Sequence, residues 1–321
     1  MGHILNLACQ GFLFAKDNEA VEMAIRDAEE MQREDERLGL EEGRLRATES
    51  EYTQSEASQE EWRKIGAMGK LHNIAVWLRR SPTRYQRFQK HARRILPRDN
   101  DTRWNSWLTM LEAAVDMEYH IRVFIEKHWD EMEKNHLDSN DWETLKEMLE
   151  ILQPFRDSTE WLEKDSTTLD QVLWTMDLLI SHISDKREEY KGKPTVSASL
   201  LTMWFVFDKY YKLTDKTPVY CAALLLNPLY RSKYIYDAWQ KTEEMHPGTC
   251  EESIDAVREL WTREYKDVSV GGVASRVDPS TIRNRIQRQR LLDEQKRQAE
   301  SDEFEQFISV CGHSYPSELF L

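Results

Sequence analysis

Apolar residues recur along most of this chain at the three- and four-residue spacing of helices, interrupted by two strongly polar stretches. Ile4, Leu5, Leu7, Phe12 and Leu13 predict a short amphipathic helix over residues 3–15. Ser81 and Pro82 have N-cap and first-turn character, and the helix they open is expected to close at Pro97. Between Arg103 and Glu133, Trp107, Leu111, Ala114, Ile121, Ile125 and Met132 keep helical register. Asn140 with Glu143 reads as a capping box ahead of Trp142, Leu145, Met148, Leu152 and Phe155, with Pro154 placed to kink or end that helix. Thr168 with Gln171 opens a stripe of Leu173, Met176, Leu179 and Ile183. Further helices are predicted from Ser197 to Leu213, around Ala222–Leu226, and from Thr249 to Tyr265. Trp107, Trp129, Trp142, Trp161, Trp174 and Trp204 fall at helical spacing among Leu and Met and read as core.

The polar stretches divide the chain. Residues 17–61 are rich in acids and poor in aromatics, and cannot bury enough apolar area to offset their ordering entropy; a largely disordered acidic insert is expected. Residues 268–280 read as a linker, and 281–321 as a charged C-terminal helix and tail. Between them, 62–267 forms the main helical body, with 1–16 as a separate short helix.

Composition sharpens this picture. Gly (11) and Pro (9) are scarce in 321 residues while Trp (11) is frequent, which favours a mainly α protein. The net charge of −14 argues against a general nucleic-acid coat. It leaves room for a local patch, and Arg80, Arg84, Arg87, Lys90, Arg93, Arg94 and Arg103 supply one. Cys9, Cys221, Cys250 and Cys311 contain no C-x-x-C pair, so neither a zinc finger nor a disulfide framework is expected; Cys311-Gly312-His313 is a lone pair of ligand types. No run approaches a membrane span and no signal peptide is visible, which predicts a soluble intracellular protein without membrane partners. No phosphate loop, nucleophile elbow or H-E-x-x-H points to a small-molecule substrate.

Four blocks in order resemble hAT superfamily DNA transposases, especially their fungal branch. They are Gly2-His3-Ile4-Leu5-Asn6-Leu7; Trp62-Arg63-Lys64 through Gly69-Lys70-Leu71-His72-Asn73 to Arg79-Arg80-Ser81-Pro82; Asp99-Asn100-Asp101-Thr102-Arg103-Trp104-Asn105-Ser106; and Ala222-Ala223-Leu224-Leu225-Leu226-Asn227-Pro228. The resemblance implies the helical insertion domain of an interrupted RNase H-like transposase fold, with residues 1–16 as the only remnant of the RNase H-like part. It implies Arg103 and Trp104 near the transposon-end DNA, the indole stacking on a base, and His3 near the former catalytic centre. Plain core packing of Trp104 and a solvated face for the arginines remain the competing readings.

Family members transfer DNA strands with two Asp and one Glu holding Mg²⁺ or Mn²⁺. None of the three matches a position here, nor does the zinc finger or dimerisation segment, so a fragment lacking both ends is expected. Alone it should have no catalytic residues, no cofactor and no bound metal, with DNA binding as a residual activity. The resemblance further implies a nuclear location and allows homo-oligomers. A domesticated interaction scaffold without DNA affinity is one alternative; a piece of an active transposase is the other.

Overall fold

The computed structural model describes residues 1–14, 56–97, 104–164, 166–214, 216–240, 243, 247–266, 285–290 and 303–309. These residues hold α-helices, one 3₁₀ turn and no strand. The predicted acidic insert lies outside them except for its last six residues, which begin α2. The predicted linker also lies outside, as do Cys311 and His313.

The chain divides into two compact units: Met1–Thr167 with Leu178–Tyr211, and Thr168–Asp177 with Lys212–Leu321. The first begins with α1 (Gly2–Phe14), whose Leu5, Ala8, Cys9, Phe12 and Leu13 are buried along one stripe. Then come α2 (Glu56–Arg63), α3 (Ala67–Arg79), α4 (Pro82–Ala92), α5 (Trp104–Asp116), α6 (Glu118–Glu126) and α7 (Trp129–Met132). A 3₁₀ turn, Glu133–Asn135, leads to α8 (Ser139–Leu162). α9 (Leu169–Glu189) and α10 (Pro194–Thr214) follow, and α1 packs on α5 and α8.

An aromatic seam ties α1, α2, α3 and α5 together. Trp62 stacks on His72 with ring centroids 3.9 Å apart, and His72 stacks on Trp107 at 5.5 Å. Phe14 closes the seam edge-on against Trp107 at 5.0 Å. Gly69 is required here: a Cβ on it would lie 1.7 Å from the Trp62 carbonyl oxygen. Beneath the seam, Lys70 reaches Asp141 at 2.6 Å, and Asn73 donates to Asn135 at 2.9 Å.

The second unit is built from α11 (Val219–Leu226), α12 (Arg231–Ala238), α13 (Thr249–Glu264) and α14 (Glu303–Ser309). Leu224, Leu225, Ile235, Ile254, Val257 and Phe304 form its core. Asp177 accepts from Tyr234 Oη at 2.9 Å and Trp239 Nε1 at 3.1 Å, satisfying two buried donors with one carboxylate.

Several helix limits differ from those the sequence predicts. The apolar pattern between 103 and 133 breaks twice. At Met117 the backbone N–H bonds both Ala113 and Ala114 carbonyls at 3.1 Å, tightening the turn; at His128 the ring bonds the Phe124 carbonyl at 2.9 Å. The capping box of α8 is Asp138 with Asp141, two residues before the pair expected, and Pro154 sits inside one continuous helix. α4 ends at Ala92 rather than Pro97, because Arg93 takes a left-handed conformation, φ 54°. Thr249 does not cap α13; the Glu243 carboxylate accepts from the backbone N–H groups of Gly248 and Cys250 at 2.6 and 3.0 Å. Trp107 and Trp142 are core, whereas Trp129 and Trp161 are more than 40% exposed, being 43% and 44%.

Candidate nucleic-acid interface

No Asp or Glu occurs between Arg79 and Arg98, a run with eight Arg and Lys residues in a chain of net charge −14. Ser81 starts α4 by accepting from the Arg84 backbone N–H at 3.3 Å, with Pro82 in the first turn. Phe88 and Ala92, four residues apart, are buried; Phe88 meets Phe124 of α6 edge-on at 5.2 Å. Burying that stripe turns Arg87, Lys90, Arg93 and Arg94 outward, where all are exposed.

These cations are not equivalent. The Arg84 guanidinium lies 3.9 Å over the Trp77 ring, donates to the Trp77 carbonyl at 2.8 Å and to Glu131 at 2.9 Å. Trp77 Nε1 donates to the same Glu131 oxygen at 3.0 Å. Arg84 is therefore a brace between α3, α4 and α7, with its donors largely spent inside the protein. Arg94 pairs with Asp116 at an exposed position, where water and salt screen the pair strongly. Arg87, Lys90 and Arg93 have no ion-pair partner among the described residues. Arg80 caps α3 and is exposed.

A further cation comes from outside the run. Lys127, at the end of α6, is exposed and close enough to His91 to act on its ring. Burial pushes the His91 pKa below the ordinary histidine value, and the neighbouring His120 and Lys127 push it the same way. The sequence reading missed Lys127 because it lies on another helix; only the packing of α4 on α6 brings it near.

The other expected contacts are placed differently. Trp104 begins α5 and is 3% exposed, its backbone N–H pointing at Asn6 Oδ1 at 3.4 Å. Base stacking would require that indole to leave the core. Arg103 lies outside the described residues. His3 is exposed in the first turn of α1. Among the described residues no three His, Cys, Asp or Glu side chains converge on a point where an ion could sit. No described helix is long and apolar enough to cross a membrane.

Residues 62–151, which run from α2 into α8, match the family model of the ZBED1 RNase-like helical domain. The match supports an hAT-type, transposase-like protein and a mainly helical domain over that stretch. The whole basic run and the aromatic seam from Trp62 to Trp107 fall inside it. No curated protein and no solved structure matches the chain.

Proposed function

We propose that the chain carries a transposase-type helical domain whose α4 face holds the phosphate backbone of duplex DNA. The observation that carries this reading is the acid-free, outward-facing set Arg87, Lys90 and Arg93, whose charges are not spent on carboxylates among the described residues. Arg80 and Arg94 flank it, Arg94 only loosely held by Asp116. Such a face contacts phosphate without reading sequence, since point charges on a helix surface do not address base edges. Transposon-end DNA and a nuclear location come from the transposase resemblance, not from this face. Arg84 belongs to the scaffold that presents the face.

Duplex binding measured by fluorescence anisotropy across a salt series tests this. Affinity should fall linearly with log salt, and each of Arg87→Ala, Lys90→Ala and Arg93→Ala should reduce the slope by about 1. A slope that none of the three changes would remove α4 from the interface. Absence of binding at low salt would leave the helical body as a protein-interaction scaffold.

A further inference from the structure

The cations of α4 end beside an aromatic ring that neither the core nor phosphate binding uses. Tyr119, in the first turn of α6, is 70% exposed. Two ring contacts place it at the C-terminal end of α4. Its ring meets that of His120 at 5.5 Å, and His120 meets His91, the neighbour of Lys90, edge to face at 5.0 Å. Arg94 ties the same corner together through Asp116, the last residue of α5. Two carboxylates flank Tyr119 along the chain, and both are engaged. Asp116 pairs with Arg94, and Glu118 pairs with Arg122 at 2.8 Å and Lys146 at 2.6 Å. Other rings near the cations are already covered: Trp104 is buried, Tyr85 lies under the Arg79 guanidinium at 5.3 Å, and Trp77 lies under Arg84.

Resting on the phosphate-binding role of α4 proposed above, we infer that Tyr119 is a stacking platform for an unpaired base. The site then takes a duplex with a short single-stranded extension in preference to a blunt one. An open aromatic face accepts any base, and beside cations that track the backbone it supplies what a single strand needs. Bases inside a duplex have both faces covered by their neighbours, whereas an unpaired base at its end can swing onto the ring. Arg87 to Arg93 spans about 9 Å along the helix. A strand held on those cations continues toward the turn between α5 and α6, where Tyr119 stands. Contact through one ring face carries no base preference, in keeping with cations that address phosphates alone.

Anisotropy titrations of the full chain with a blunt duplex and with the same duplex carrying a short unpaired extension test the platform. The extension should tighten binding roughly tenfold, the worth of about one stacked base. Tyr119→Ala should erase that gain while leaving blunt-duplex affinity and its salt slope unchanged, and Tyr119→Phe should keep it. Trp129→Ala removes another exposed ring, one on α7 that leans on His136 at 5.1 Å, and should leave the gain intact. A fluorescent base analogue quenched by stacking, placed in the extension, reads the contact itself. Its emission should fall on binding the unaltered chain and stay bright on binding Tyr119→Ala. An extension that adds nothing, a gain that survives Tyr119→Ala, or equal loss in Trp129→Ala overturns the platform and leaves the α4 reading standing. If neither duplex binds, the α4 reading falls and the platform with it.

Discussion

Gly69 offers the sharpest test of how this domain is assembled. In an ordinary exposed helix, replacing Gly by Ala adds about 1 kcal/mol of stability through lower chain entropy. At Gly69 the sign should reverse. The added Cβ would stand 1.7 Å from the Trp62 carbonyl oxygen and 2.6 Å from its carbon, where ordinary contact is about 3.4 Å. Backbone must therefore move by more than 1 Å, and it carries Trp62, whose indole covers His72 and lies 5.4 Å from Trp107. Overpacking of this kind costs about 1–3 kcal/mol, and partial loss of Trp62 burial adds roughly 1–2 kcal/mol. Set against the propensity gain, Gly69→Ala should destabilise the first unit by about 2–3 kcal/mol. In a unit of this size that lowers Tm by roughly 5–10 °C. Gly192→Ala, whose Cβ would have nothing within 4 Å, is the control and should change little. Thermal and urea unfolding followed by tryptophan emission would measure both. A Gly69→Ala protein as stable as the original would refute the close approach of α2 to α3.

Three further outcomes follow from single groups. His182 is half-buried and bonds the Ile151 carbonyl at 3.0 Å; burial, with Lys186 nearby, lowers its pKa below the ordinary 6.5. Its neutral form is thus the one the fold prefers, so stability is complete above about pH 6.5 and falls as acid protonates the unfolded chain first. His182→Gln should flatten that part of a urea-midpoint-versus-pH curve, and an unchanged curve would contradict the assignment. Asp141 closes the α8 capping box and pairs with Lys70, so Asp141→Ala should cost about 2–3 kcal/mol and Lys70→Met less, by denaturant titration. In the second unit, Asp177→Ala strands the Tyr234 hydroxyl and Trp239 indole N–H and should cost about 2–4 kcal/mol. An Asp177→Ala loss below 0.5 kcal/mol would show that both donors find other partners.

The parts of the fold legible in sequence are those fixed by local chemistry. Ser81-Pro82 announces the start of α4, and the Leu5 to Leu13 stripe announces α1. Residues 62–151, which hold the second and third of the resembling blocks, are matched by a family model. Helix ends set by an unsignalled backbone turn or by a side chain outside the helix were illegible. Glu243 caps α13 from the preceding chain, and Arg93 ends α4 by a left-handed turn that no breaker residue marks. The exposure of Trp129 and Trp161 depends on which side of each helix meets a neighbour, which spacing alone leaves open. The basic run was visible as charge, but its division into a half-buried brace, Arg84, and outward-facing cations, Arg87 and Lys90, required Trp77 and Glu131 to be seen beside it.

The proposed DNA contact depends on where the unpaired cations lie. The most direct measurement compares two triple variants with equal loss of charge: Arg87→Ala with Lys90→Ala and Arg93→Ala on α4, and Lys164→Ala with Lys191→Ala and Lys212→Ala elsewhere. Duplex affinity and its salt slope should collapse in the first and stay close to the original in the second. Equal weakening in both would mean that only net charge matters and would contradict the proposed α4 site.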